Sequence, residues 1–504
     1  MKKFLYSIFF LSAVTAAQAA TTIKLVVKDT RYQKVTGFGA ACCDGAMKPH
    51  GTDTKPVDLL YGEESPVGLN IMRMEISPAT KGNDPDGWPT DYDWNGSLPS
   101  ARLAKKRGAI VFGTPWSPPG SYKTNGSAVG GNDDKQGKVR ATLKENYYEK
   151  FFPWLNMFLK YMKQNGVLMD AVSVQNEPDW WVNYSGCLYT PEQQLTLVKN
   201  YAHLLDRKTY PGVRLISAEP FAFEPNYCKL LMNDSVAREQ IDIVGGHIYG
   251  SAPMANLKKS ADMASPYGKE VWMTENSVSD KIDHLPYWED QLQFADVVNE
   301  CMVAGCTGYI YWYMRAHWSF VGTGESKYNP GNTKNTLLPR AYVMSHFSKY
   351  IPGATRLETT PTLKAGEEQK SLEYSAYIKG DSLIVIAVHK TKTDLDLKME
   401  LPYKVKSGFH VLSTGNETEN LCQKSDILIS EPTKTVIARM PPMSLNTYVL
   451  LIDNGATAIS EQVQRWNAGP TVYYDMKGHR LAKPHGLCVE RHGDGSSRVV
   501  YIND

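Results

Sequence analysis

The sequence predicts an α/β protein: a (β/α)8, or TIM, barrel with a side β-sandwich and a short C-terminal β module. Three observations carry this reading. Between about Val35 and Arg315, eight short, β-branched apolar runs alternate with helical patterns. Near-continuous apolar strands separated by helices form a parallel sheet covered on both faces, and eight such units suit a closed barrel. After Tyr350 the helical periodicity gives way to β-rich runs joined by turns. Finally, 504 residues exceed what one core fills, since single cores stop growing near roughly 250–300 residues.

The elements follow in order. Residues 1–20, MKKFLYSIFFLSAVTAAQAA, place two lysines before an apolar run, Phe4 to Val14, and end in Ala17-Gln18-Ala19. That is the form of a secretory signal peptide with a small-residue cleavage site, so a secreted, periplasmic or cell-surface protein is expected. The run is too short to span a bilayer, which takes about 20 residues, and no membrane span is expected later. An N-terminal strand over residues 21–34, containing TIKLVVK (Thr22–Lys28), is expected to join the sandwich.

The barrel is expected over residues 35–350. Its strand runs are Val35–Ala40, Gly68–Ile76, Gly108–Pro115, Met169–Pro178, Arg214–Phe221, Ile243–Gly250, Glu270–Ser277 and Gly308–Arg315. Helical periodicity is clearest in Tyr147–Asn165, Pro191–Asp206, Trp288–Cys306 and Arg340–Tyr350. An open doubly wound sheet would need a phosphate fingerprint, and GFGAAC (Gly37–Cys42) lacks the third glycine. The β-sandwich is expected over residues 351–453, with a hairpin around Gly380-Asp381 and two strands in Thr433–Ile452. Residues 454–504 read as a linker and a β tail, in which Lys477-Gly478, His485-Gly486 and Asp494-Gly495 turns separate short strands. Packing module and sorting signal remain the two readings of that tail.

The formal charge of +2 offers no general field for nucleic acid. The eight cysteines contain no CxxC pair, so a zinc site lacks support; most read as core residues, with room for one or two disulfides. A monomer is expected.

In such a barrel the active site lies at the C-terminal ends of the strands. There the chain places Arg73 and Glu75, Trp116, Asn176-Glu177, His247 and Tyr249, Glu275, then Trp312, Tyr313 and Arg315. Two carboxylates in one cleft suit glycoside hydrolysis: one protonates the leaving oxygen, and the other attacks or activates water. A lone glutamate at a strand end is ordinarily solvated or salt-bridged. The pair Glu177 and Glu275, 98 residues apart (275 − 177) with about three βα units between, is the sharper signal. Asn176 suits a hydrogen bond to a sugar 2-hydroxyl, a contact that strengthens in the transition state. Trp180 follows closely enough to line the same cleft.

These residues lie in VTGFGA, GAIVFGTPWSPPGSYKTNG, AVSVQNEPD, IVGGHIYG, EVWMTEN and YIYWYMR. Together, over roughly Val35 to Ile452, they resemble glycoside hydrolase family 30, and within it the bacterial xylanases that cut glucuronoxylan, which carry text similar to SHFSKY (Ser345–Tyr350). The resemblance implies a retaining endo-β-1,4-xylanase acting on glucuronoxylan or arabinoxylan, with Glu177 as acid/base and Glu275 as nucleophile. It implies Asn176 on the sugar, and Trp116, Tyr249 and Trp312 as aromatic walls, with core packing as the bland alternative for each. Tyr313, Arg315, His247 and Trp180 complete the expected substrate-binding set. No metal or cofactor is implied, because two carboxylates and water suffice for the reaction.

Two departures from that pattern bear on substrate. The xylanases resembled here carry a pair of arginines after strand eight, one of which grips the glucuronate carboxylate; this chain reads Met314-Arg315-Ala316-His317. Where they carry aromatics after the nucleophile, this chain has Asn276, Ser277 and Val278. Losing a bidentate arginine–carboxylate contact relaxes a glucuronate requirement, with His317, Trp318 or Lys327 as substitutes. The loops Gly120–Lys138 and Ser319–Asn335 would also reshape the cleft. β-1,6-Glucanase, β-glucosidase and exo-acting xylanase stay open as alternatives, as does a non-catalytic carbohydrate-binding protein.

Overall fold

The computed structural model describes residues 21–42, 54–78, 81–83, 89–91, 94, 97–130, 141–277, 288–315, 319–324, 333–361, 372–415, 421–453, 472–474, 480–481, 486–491 and 497–502. Eight parallel strands close into a barrel: Gly37–Cys42, Ile71–Ile76, Ile110–Pro115, Ala171–Ser173, Arg214–Ile216, Ile243–His247, Glu270–Glu275 and Gly308–Tyr311. Each neighbours the next in sequence, and the last pairs with the first, Gly308 opposite Gly37. All eight lie within the apolar runs marked by the sequence, except that the first extends to Cys42.

Alternation along these strands sorts side chains between two cores. Ile71, Phe112, Ala171, Ile216, Ile243, Trp272 and Ile310 fill the barrel interior. Met72, Met74, Val111, Val172, Val271 and Met273 face the helices, where they meet Phe151, Leu155 and Phe158. The helices expected from periodicity are observed at Tyr148–Gln164, Pro191–Tyr201, Trp288–Ala304 and Pro339–Ser348. A capping box at Thr190 and Gln193 starts the second of these. Helices over Leu98–Lys106, Pro225–Asn233 and Pro253–Ala264 were not expected; each carries a proline in its first turn, where the missing N–H costs nothing.

The sandwich grows from both ends of the same compact unit, which runs to Ile452. Strands Leu372–Lys379 and Ser382–His389 form the hairpin, with Gly380 at φ 55° in the turn. One long strand, Leu395–Ser413, serves both layers. Its first part runs parallel to Thr21–Lys34, from Thr21 opposite Leu395 to Val26 opposite Glu400. Past register shifts at Val405 its second part pairs with Ser444–Ile452. Strand Thr21–Lys34 also pairs with Thr355–Pro361, so the sheet returns on itself around a core of Leu25, Leu357, Leu397, Met399 and Leu450. Trp288 Nε1 donates to the Met443 carbonyl at 2.5 Å, and His346 meets Thr447 and Ser413, which fixes this sheet against two barrel helices. In the tail, Val472–Tyr474, Arg480–Leu481, Gly486–Arg491 and Ser497–Ile502 form a separate antiparallel sheet.

Among the described residues, Cys187, Cys228, Cys301, Cys306 and Cys422 carry free thiols, four of them buried. No bridge joins any two of these five. The signal segment 1–20 lies outside the described residues, and none of the described helices is long and apolar enough to cross a membrane.

Candidate active site

The two glutamates reach one point by different routes. The fourth strand stops at Ser173, and the chain continues through Gln175-Asn176-Glu177. Glu177 has φ 42°, a left-handed backbone that costs a non-glycine residue on the order of 1 kcal/mol or more. Neighbouring backbone holds it there: Asn176 N–H donates to the Pro115 carbonyl, and Glu177 N–H to the Glu219 carbonyl, each at 2.9 Å. Glu275 arrives by a bulge. Opposite the sixth strand, Met273 pairs with Gly246 and Glu275 with His247, leaving Thr274 as an extra residue. Val271 and Met273 face the helices, so unbroken alternation would send Glu275 there as well; the bulge turns it toward the cleft.

A carboxylate oxygen of Glu177, one of Glu275 and a ring nitrogen of His247 all lie within 4.8 Å of one another. Both carboxyl groups keep about 7% exposure, so they reach solvent at the barrel mouth. Each oxygen of Glu275 has a donor: Arg73 Nη1 at 2.6 Å and the Tyr249 hydroxyl at 3.2 Å. Arg73 also donates from Nη2 to the Asn176 side-chain oxygen at 2.8 Å. A guanidinium only donates, so it fixes the Asn176 amide with oxygen toward Arg73 and leaves the NH2 to donate elsewhere.

Behind this pair lies a second buried layer. Glu219, fully buried, lies 3.1 Å from Arg73 Nη2, accepts from Thr114 Oγ1 at 2.8 Å, and stands 3.4 Å from His247 Nε2. His247 Nδ1 is 3.0 Å from Glu177. Burial opposes charge on His247, but Glu275 and the bonds to Glu177 and Glu219 push its pKa up to about 9. Burial likewise opposes charge on Glu219, yet Arg73 and His247 hold its pKa down to about 2. Burial lifts Glu275 above the ordinary carboxylate value; His247 and Arg73 act against that shift, and Glu177 acts with it.

The aromatic residues divide into two groups. Trp116 is buried, with the Arg73 guanidinium 4.5 Å above its ring and Trp312 at 5.8 Å. Trp312 and Tyr313 are partly exposed, their rings 3.9 Å apart. On the Glu177 side, Trp180 is 47% exposed and stacks on Phe221 at 4.1 Å with a 6° interplanar angle; Phe221 in turn lies 5.2 Å from Tyr249. Tyr184 stands over the same region, its hydroxyl pushed up by burial and by the charges of Glu177 and Glu275. Buried Lys123 braces this wall by donating to the carbonyls of Ala128, Val129 and Gly186, which ties the loops after strands three and four together.

Of the residues expected at the site, Glu177, Glu275, Asn176, His247 and Tyr249 converge through these bonds. Trp116, Trp312 and Tyr313 form one aromatic cluster, and Trp180 belongs to another. Arg315 is 1% exposed, its backbone bridged to Val321, so it does not present its guanidinium at the surface. Val278, Ala316, His317, Trp318 and Lys327 lie outside the described residues. Sequence reasoning noted Arg73 at a strand end without giving it a role, and it missed Glu219, Phe221 and Tyr184. Two signals were present: an arginine at inward parity in the apolar run NIMRMEI, and Glu219-Pro220, which repeats the Glu177-Pro178 form at the end of the adjacent strand.

Comparison with known proteins gives a consistent result. Residues 90–315 match the family model "Glycosyl hydrolase family 30 TIM-barrel domain". The chain is 28% identical over 399 residues to the glucuronoxylanase XynC of Bacillus subtilis (strain 168), covering 77% of this chain and 82% of that one. It resembles the crystal structure of the glycoside hydrolase family 30 subfamily 8 xylanase Xyn30A from Clostridium acetobutylicum, with a TM-score of 0.68 and 26% identity over 85% of this chain and 99% of that one. A more distant relative, 22% identical over 68% of this chain and 75% of its own length, is the endo-1,6-beta-D-glucanase BGN16.3 of Trichoderma harzianum.

Proposed function

The chain belongs to glycoside hydrolase family 30, and on that footing we propose that it is a secreted, endo-acting β-1,4-xylanase that retains anomeric configuration. The observation that carries the reading is the approach of Glu177 and Glu275 to within 4.8 Å across the barrel mouth. Retaining enzymes hold their carboxyl groups about 5–5.5 Å apart, and inverting enzymes hold them about 6.5–9.5 Å apart to admit a water. The close spacing favours direct attack.

In the first step a Glu275 oxygen attacks the anomeric carbon while Glu177 gives its proton to the departing glycosidic oxygen. In the second, Glu177 takes a proton from water as that water's oxygen displaces the Glu275 ester. Arg73 and Tyr249 hold the nucleophile's orientation, and the Asn176 NH2 is placed to donate to the sugar 2-hydroxyl. Trp180 and Phe221 sit beside the acid/base and offer a flat apolar ledge to the leaving-group side of a polymer, which supports internal cleavage. The signal-like residues 1–20 support export.

A glucuronate requirement is not part of this reading, since Arg315 is buried and Ala316 replaces the second arginine. The test is digestion of glucuronoxylan beside unsubstituted arabinoxylan, with products sized by mass spectrometry. Oligomers from both are expected. Cleavage of glucuronoxylan alone, or release of xylose alone, would overturn the specificity. The β-1,6-glucanase relative favours one second reading, so linear β-1,6-glucan belongs in the same assay.

A further inference from the structure

The hydrolytic reading uses Glu177, Glu275, Arg73 and Tyr249 but gives no task to Glu219. Yet Glu219 is wholly buried and both of its oxygens are engaged, Oε1 by Thr114 and Oε2 by Arg73 and His247. Its backbone is tied to the acid/base as well, accepting from Glu177 N–H at 2.9 Å and donating to the Gln175 carbonyl at 2.8 Å. The next strand clears space for it: a Cβ on Gly245 would come within 3.0 Å of Glu219 Cγ. A carboxylate held this firmly, one imidazole away from the acid/base, is placed to govern that imidazole.

We propose that Glu219 is a positioning residue that keeps His247 as an imidazolium beside Glu177 and Glu275 throughout the catalytic cycle. The proposal rests on the roles of Glu177 and Glu275 given above. Charge bookkeeping supports it. In the resting enzyme Arg73 and His247 carry positive charge, Glu219 and Glu275 carry negative charge, and Glu177 holds its proton, so the cluster is neutral. In the glycosyl-enzyme Glu275 is an uncharged ester and Glu177 has given its proton to the leaving oxygen. Glu219 and Glu177 then balance the same two cations, and the cluster is neutral again.

One negative charge therefore moves from Glu275 to Glu177 while His247, 4.0 Å from the first and 3.0 Å from the second, stays fixed. Without Glu219 the same groups would carry a net positive charge in both states, and the fully buried imidazolium would shed its proton. The upward shift of His247 agrees with this arrangement. Among the described residues, the other titratable groups near the ring are Tyr249, edge-on at 6.0 Å between ring centroids, and Asp179, whose carboxyl feels the His247 charge. Tyr184 faces the two glutamates.

The experiment is nitrogen NMR of the full enzyme labelled with 15N-histidine, with His247 assigned from a His247→Gln variant. His247 is expected to be doubly protonated at pH 7 in the parent. In Glu219→Gln it should titrate about three pH units or more lower, as a histidine buried without its countercharge does, and so be neutral at pH 7. The alkaline limb of the kcat/KM–pH profile should then move up, because Glu177 loses a nearby cation. Xylo-oligosaccharides should slow at least about tenfold more than a nitrophenyl glycoside, whose departure needs little protonation. Glu219→Asp, which keeps the charge, should restore the profile. A neutral His247 in the parent at pH 7 would overturn the proposal without any variant. So would an unchanged titration in Glu219→Gln, or equal slowing of both substrates with an unmoved alkaline limb. His247 is read without substrate, so an enzyme inactive on xylan would defeat the xylanase reading and leave this test intact.

Discussion

At the scale of single residues, the two glutamates make separable predictions. Glu275→Gln should lose turnover on xylan while still binding it, measured by calorimetry with a xylo-oligosaccharide; parent-rate hydrolysis would remove Glu275 as nucleophile. Glu177→Gln should slow xylan by about 10²–10⁴-fold, the usual worth of a positioned acid, and slow aryl glycosides with good leaving groups much less. Equal losses on both would count against Glu177 as the acid. Arg73 is the riskiest residue to remove. It is buried between Glu219 and Glu275, and deleting one partner of a buried ion pair costs about 3–5 kcal/mol. Arg73→Met should therefore lower the urea midpoint sharply as well as abolish activity. The sequence revealed Glu177, Glu275 and His247 because each ends an apolar strand with a polar group. Arg73 and Glu219 left only faint marks for a physical reason: a charged residue deep in a barrel is satisfied by partners 28 to 202 residues away, not by its sequence neighbours.

At the scale of elements, the bulge at Thr274 and the two glycines of the sixth strand do the placing. A Cβ on Gly245 would stand 2.8 Å from Ile216 Cγ2 as well as 3.0 Å from Glu219. Gly245→Ala should leave a folded barrel, at a cost of about 1–3 kcal/mol for overpacking, and should lower kcat more than it raises KM because it displaces Glu219. Unchanged kcat in a variant with normal circular dichroism would contradict that account. The eight strands were legible because parallel strands buried on both faces read as unbroken apolar runs. The bulge was not legible, since VWMTE shows no mark of an extra residue. The helix over Pro253–Ala264 was missed because its buried face, Leu257, Ser260, Ala261 and Ala264, is small and partly polar, so no apolar stripe stands out.

At the scale of the whole molecule, the contact between barrel and sandwich carries a pH dependence. His346, on helix Pro339–Ser348, is fully buried between the Thr447 and Ser413 hydroxyls, each 2.9 Å away. Burial, aided by His410, drives its pKa down from 6.5 to about 3. Below about pH 6.5 the unfolded chain takes up a proton that the folded one refuses. The stability is thus complete above that pH and falls by about 1.4 kcal/mol per unit toward pH 3. Urea midpoints at pH 7, 5.5 and 4.5 should fall more steeply for the parent than for His346→Gln, and parallel slopes would show that His346 is not responsible. The strand pairing has a further consequence. Thr21–Lys34 finds its partners only after more than 300 intervening residues, so the barrel is, in connectivity, an insertion between the first strand of the sandwich and the rest of it. Synthesis delivers that strand first and its neighbours last. The ribbon therefore waits, unpaired and prone to stick, while the enzyme's chemical half is already made. Cutting the chain at residue 350 would not liberate a barrel; it would strand an orphaned edge at one end and strip the cover from helix Trp288–Ala304 at the other.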